Sequence, residues 1–163
     1  PPDAMQMLIL RRANNVLLAE PATSMAMRKT GSFPLKLIAP ELFRSINLQK
    51  EWGEAFKTKN AIPQAGLAVV GSMPKNIVQR FEEEYIKALN WYKNNPDEAG
   101  ELVAQQIDFL SAQAVSDSIA HVQLDALSAQ KSKADLEAFF TILHEIQPKL
   151  IGNKLPDEGF YYQ

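Results

Sequence analysis

The chain has 163 residues, 46% of them hydrophobic and 22% charged, with a formal net charge of −2 and a sequence pI near 5.7. That is ordinary globular composition with enough chain for a real core, so disordered and collagen-like classes are excluded, and the lack of a basic excess argues against a nucleic-acid partner. Cysteine is absent, which removes thiol nucleophiles, disulfides, iron–sulfur clusters and cysteine zinc sites together.

The chain opens Pro1-Pro2-Asp3, with neither the basic segment nor the long apolar run of a signal peptide. Ala4, Met5, Met7, Leu8 and Ile9 form an apolar segment of one or two helical turns, closed by Arg11 and Arg12. Next, Val16-Leu17-Leu18-Ala19 is a short apolar run that ends at Glu20 and Pro21. This predicts a buried strand, an acidic turn and then a helix, with Pro21 at the first helical position, where its missing N–H costs nothing. Thr23 and Ser24 fall in the first turn, and Arg28, Lys29 and Gly31 supply the basic last turn and the stop signal.

A second strand is expected over 35–39, between Pro34 and Pro40. From 41 to 59 the signals are mixed: Leu42, Phe43 and Ile46 suit one or two helical turns, and Leu48, Trp52 and Phe56 suit another, interrupted by Gly53. The run Ala65-Gly66-Leu67-Ala68-Val69-Val70 is the most strand-like in the chain, and Gly66 would admit close approach of a backbone or a ligand.

Beyond Pro74 the pattern becomes helical. Ile77, Val78, Phe81, Tyr85, Ala88, Leu89 and Tyr92 share one face and predict a long amphipathic helix over 74–94. Asn95-Pro96-Asp97-Glu98 starts another by cap, first-turn proline and acidic first turn. A third is expected over 112–121. Ser132-Lys133-Ala134-Asp135 resembles a capping box opening a helix whose apolar stripe is Leu136, Phe139, Phe140, Leu143 and Ile146. The closing Phe160-Tyr161-Tyr162 must pack on something. His121 and His144 are far apart and read as helix-surface residues, since Glu145 beside His144 does not share its face. No metal and no cofactor is expected.

Four pieces, in this order, carry a resemblance: Val16-Leu17-Leu18-Ala19-Glu20-Pro21, Gly66-Leu67-Ala68-Val69-Val70, Trp91-Tyr92-Lys93-Asn94-Asn95-Pro96-Asp97-Glu98-Ala99, and Ile151-Gly152-Asn153-Lys154-Leu155-Pro156-Asp157-Glu158-Gly159-Phe160-Tyr161-Tyr162. The chain resembles the carboxyl-terminal half of the periplasmic substrate-binding proteins of ABC importers, in the group that includes nitrate, sulfonate, taurine and thiamine-pyrimidine binders. The resemblance implies an α/β fold of the type II periplasmic-binding-protein kind, truncated, helix-rich and with few strands. Residues 1–62 would be the end of the second lobe and the crossing, which begins near Asn60, and residues 63–163 the carboxyl-terminal part of the first lobe.

The same resemblance implies an extracytoplasmic solute-binding component, periplasmic and either free or lipid-anchored, which delivers a small polar solute to an ABC permease without chemistry. Glu20, Pro21, Thr23 and Ser24 would line one wall of the cleft, with Gln64 and Gly66 near the hinge. The plain alternative for Glu20 is a cap at a helix N-terminus. Relatives carry further chain before the position of Pro1, so a truncated chain is expected, and its uncovered faces and unpaired edges would drive homo-oligomer formation. Two other functions compete. An enzyme like those that make the thiamine pyrimidine would need the cysteines that are missing here, and a helical sensor or interaction domain would account for the helix-rich second part.

Overall fold

A computed structural model describes residues 2–59 and 61–162 of the chain. Among the described residues seven α-helices follow one another: α1 (Pro2–Ile9), α2 (Ala22–Gly31), α3 (Leu48–Phe56), α4 (Lys75–Asn94), α5 (Pro96–Gln106), α6 (Ala112–Ile119) and α7 (Ala129–Ile146), with short 3-10 turns at Leu35–Leu37, Pro148–Ile151 and Glu158–Phe160.

The expected α/β architecture is therefore corrected to an all-helical one: among the described residues there is no strand and no sheet. Residues 16–19 and 65–70 are irregular, and the run at 35–37 is a 3-10 turn. Leu17 is 76% exposed and Val70 85%, so these runs are not buried strands either. The physical reason is that a strand is completed by another strand: its backbone N–H and C=O groups must be paired across a ladder. β-like composition in three short, separated runs does not supply that pairing. Asn60, at the start of the expected crossing, lies outside the described residues.

The chain divides into two compact units, Pro1–Ser45 with Lys87–Leu124, and Ile46–Ile86 with Asp125–Gln163. In the first unit Met25, Leu110, Ala114 and Val115 form a buried cluster, with Met5, Tyr92 and Val103 packed against it. The nearest helices in it are α5 and α6. Small residues make this approach feasible: Ala99 and Gly100 on α5 and Ala114 on α6 are buried, and a Cβ on Gly100 would meet the backbone carbonyl of Ala112. Burial pushes the Tyr92 phenol above its ordinary range, against the opposing effect of its hydrogen bond with Ser118.

In the second unit α3 is capped by Asn47, whose side chain accepts from the N–H groups of Gln49 at 3.0 Å and Lys50 at 3.3 Å. Gly53 does not interrupt the helix but is buried inside it. The apolar stripe of α7 meets α3 through Trp52, whose ring lies edge-on to Phe139 at 5.7 Å between centroids. Phe140 continues to Phe160, and Phe160 to Tyr161. Within the aromatic tail Tyr161 packs fully, only 1% exposed, whereas Phe160 stays 59% exposed. Lys133 lies 5.2 Å from the centre of the Tyr161 ring and also pairs with Glu158, which raises the pKa of its ammonium.

The long helix and the helix opened by Asn95-Pro96 stand close to where periodicity places them. The start of α7 does not. Its cap is Ser128, which accepts from the Lys131 N–H at 3.4 Å, whereas Ser132 donates back to the Ser128 carbonyl at 3.0 Å and Asp135 pairs with Lys59 at 3.1 Å. Two serines four residues apart offered competing starts. The one with extended backbone, φ −61° and ψ 152°, is the cap.

Candidate functional site

The site begins at the junction of residues 19–24 in the first unit. Pro21 sits just before the first helical residue of α2, preceded by a cis peptide bond. The Ser24 N–H donates to Glu20 Oε2 at 3.1 Å, the Thr23 N–H to the Ala19 carbonyl at 3.2 Å, and the Met25 N–H to the Pro21 carbonyl at 3.0 Å. The Thr23 hydroxyl donates to the Leu18 carbonyl at 3.3 Å. The N–H groups of Thr23, Ser24 and Met25 are therefore occupied by the chain's own acceptors, and Glu20 does what a cap does.

Its other oxygen holds a cation. Glu20 Oε1 accepts from Arg44 Nη2 at 2.6 Å and from Arg44 Nε at 3.1 Å. Arg44 Nη2 also donates to Ser24 Oγ at 2.8 Å, and Nη1 to Met27 Sδ at 3.0 Å. The Glu20 side chain is 10% exposed and that of Arg44 32%. The carboxylate is the more buried of the two, and Arg44 rather than Glu20 lines the neighbouring groove.

Beyond Arg44 the surface of the first unit forms a groove of about 450 Å³ lined by Ser24, Met27, Arg28, Arg44, Ser116, Asp117, Ala120 and His121. Arg28 and Asp117 tie α2 to α6 in a two-pronged pair, with Arg28 Nη2 donating to Asp117 Oδ1 at 2.8 Å and Arg28 Nε donating to Oδ2. The hydrogen bonds from Arg28 hold the Asp117 carboxyl below its ordinary range against a smaller desolvation effect, and the charges of Arg28, Arg44 and His121 act in the same sense. Ser116 donates to Asp97 Oδ1 at 2.7 Å, which joins α6 to α5.

The depressed Asp117 carboxyl fixes the sign of a pH effect. Its contribution to stability is present above the carboxyl's unfolded pKa and is lost as pH falls through the lower folded value. Both side chains are nearly half exposed, so the loss is within about 1 kcal/mol. Urea midpoints at pH 6 and in the acid range should show Asp117→Asn destabilised at the higher pH and converging on the unchanged protein as acid is added. A difference that persists undiminished at the acid end would contradict this.

Of the residues expected to bind ligand, Glu20, Pro21, Thr23 and Ser24 stand together at the start of α2, and Ser24 reaches the groove. Gln64 and Gly66 belong to the second unit, in the exposed irregular segment. Sequence reasoning missed Arg28, Arg44, Asp117 and His121 as site residues. A signal existed for two pairs: Ser24 and Arg28 are four apart on α2, as are Asp117 and His121 at the end of α6, spacings that bring side chains together on a helix. His121 lies just past α6, exposed, in the turn that follows it. For Arg44, in an irregular segment, no local signal exists. Among the described residues no group of histidine, aspartate or glutamate has the arrangement of a metal site. No protein-family model matches the chain, and no curated protein or solved structure is significantly similar to it.

Proposed function

We propose that this chain serves in solute capture, as the binding component of an ABC importer that takes up a small polar solute outside the cytoplasm and passes it to a membrane permease. The observation that supports this reading best is the groove of the first unit. Its volume of about 450 Å³ falls in the range of about 300–1,000 Å³ usual for small-molecule sites. Its polar groups converge from α2, α6 and the segment around Arg44, and each arginine is held in place by a carboxylate. Donors held by carboxylates suit reversible binding, and the reading requires no chemistry on the solute. The link to an importer rests on the resemblance carried by the four sequence pieces from Val16 to Tyr162.

A second reading, a helical interaction domain, is favoured by α4, on which Ile77, Phe81 and Tyr85 lie along one line and are 50%, 55% and 44% exposed. Self-association is expected on either reading, through the uncovered faces of a truncated binding protein or through this face of an interaction domain. The two are separated by a thermal-shift panel of amino acids, polyols, pyrimidines, carboxylates and phosphate, run beside sedimentation over a range of protein concentrations. Solute capture predicts that a member of the panel raises the melting temperature with rising concentration, by the equivalent of about 2.7 kcal/mol at a hundredfold excess over Kd. A panel without effect, together with self-association that Phe81→Glu abolishes, would replace solute capture by the interaction reading.

A further inference from the structure

The donors left over in the groove narrow the chemistry of its ligand, and this step rests on the solute-capture reading. A guanidinium carries five N–H groups and no acceptor. Two of those on Arg28 go to Asp117, and its Nη1 edge has no acceptor among the described residues. On Arg44, Nε and Nη2 are taken by Glu20 and Ser24, while Nη1 has only the Met27 sulfur, a weak acceptor. Ser24 Oγ accepts from Arg44, and with the residue only 2% exposed it steadies that guanidinium from beneath. His121 lines the same groove and is close enough for its charge to act on Asp117.

On the acceptor side the groove is nearly spent. Glu20 is capped by Arg44 and the Ser24 N–H, and both Asp117 oxygens face Arg28. The charges of the two carboxylates are each matched by an arginine, while both arginines line the groove and each keeps N–H groups that no carboxylate takes. We propose that this groove binds a small oxyanion, a carboxylate or phosphate group, seated against the guanidinium groups of Arg28 and Arg44 with His121 as a further donor. Planar guanidinium donors suit oxygens of this kind better than they suit a neutral sugar or an amine.

Isothermal titration of the full chain with inorganic phosphate, succinate, glycerol and putrescine tests this. Binding is expected for phosphate or succinate and not for glycerol or putrescine, and Arg44→Gln should weaken it about tenfold, the loss of one charge-assisted contact. His121→Ala, which changes an exposed turn residue and leaves the core alone, should weaken it about threefold by the same reasoning. Arg12→Gln, outside the groove, should leave it unchanged, and equal losses in all three variants would reduce the binding to general surface charge and overturn the proposal. Should putrescine or glycerol bind instead and be lost in Arg44→Gln, the oxyanion is wrong although solute capture stands. If none of the four probes binds, the oxyanion proposal falls, and the solute panel then decides solute capture on its own.

Discussion

Gly100→Ala should destabilise the first unit by about 1–3 kcal/mol, the range for overpacking a close contact. The sign is the informative part. In an exposed helix interior the same change stabilises by about 0.5–1 kcal/mol, because alanine loses less backbone freedom than glycine on folding. Gly100 is buried in α5, and the added Cβ would sit on the carbonyl of Ala112, with the Ala112 Cα 3.3 Å away. Those are backbone atoms at the start of α6, so no flexible side chain can swing aside. Relief would require α5 and α6 to separate, loosening Ala114 and Val115 beneath them, which are 0% and 1% exposed. Urea denaturation followed by helical circular dichroism measures the effect as a lower midpoint. A raised midpoint would mean that the two helices are not in this contact.

Glu20→Ala should be the second most damaging change, at about 2 kcal/mol, within the range for hydrogen bonds to charged groups. It removes the acceptor of the Ser24 N–H and both carboxylate contacts of Arg44 at once. Arg44 then keeps only Ser24 Oγ and the Met27 sulfur, and its guanidinium is no longer aimed. Two readouts separate a cap from a positioning residue. A cap alone would lower the urea midpoint and leave the affinity for phosphate or succinate unchanged, whereas a residue that also positions Arg44 would lower both. Glu20→Gln, which keeps an acceptor for the Ser24 N–H but not the charge opposite Arg44, should recover much of the stability and less of the affinity. Equal affinity in all three proteins would remove Glu20 from the site and leave it a cap.

The two predictions concern different levels of the same unit. Gly100 matters because two helices meet where a side chain would not fit, a fact about packing density. Glu20 matters because one carboxylate satisfies a helix end and a cation together, a fact about polar groups that must not be left without partners. Both effects act within the first unit, and neither needs the second.

Local signals determined much of what the chain does by itself. The face formed by Ile77, Phe81, Tyr85 and Leu89 specified α4, because a 3.6-residue period repeats over enough turns to outweigh chance. Asn95-Pro96 specified the start of α5, since proline stops one helix and opens the next in a single step. The tertiary structure alone decided three other things. It left the apolar runs at 16–19, 35–39 and 65–70 without strand partners, because pairing is a property of two segments and composition belongs to one. It chose Ser128 over Ser132 as the cap of α7, because Ser128 has the extended backbone and accepts from the Lys131 N–H, while Ser132 lies inside the helix and donates back to the Ser128 carbonyl. And it brought Arg44 onto Glu20 and Asp117 onto Arg28, 24 and 89 residues apart in the chain, because attraction between charges follows distance in space, which no spacing within a helix encodes.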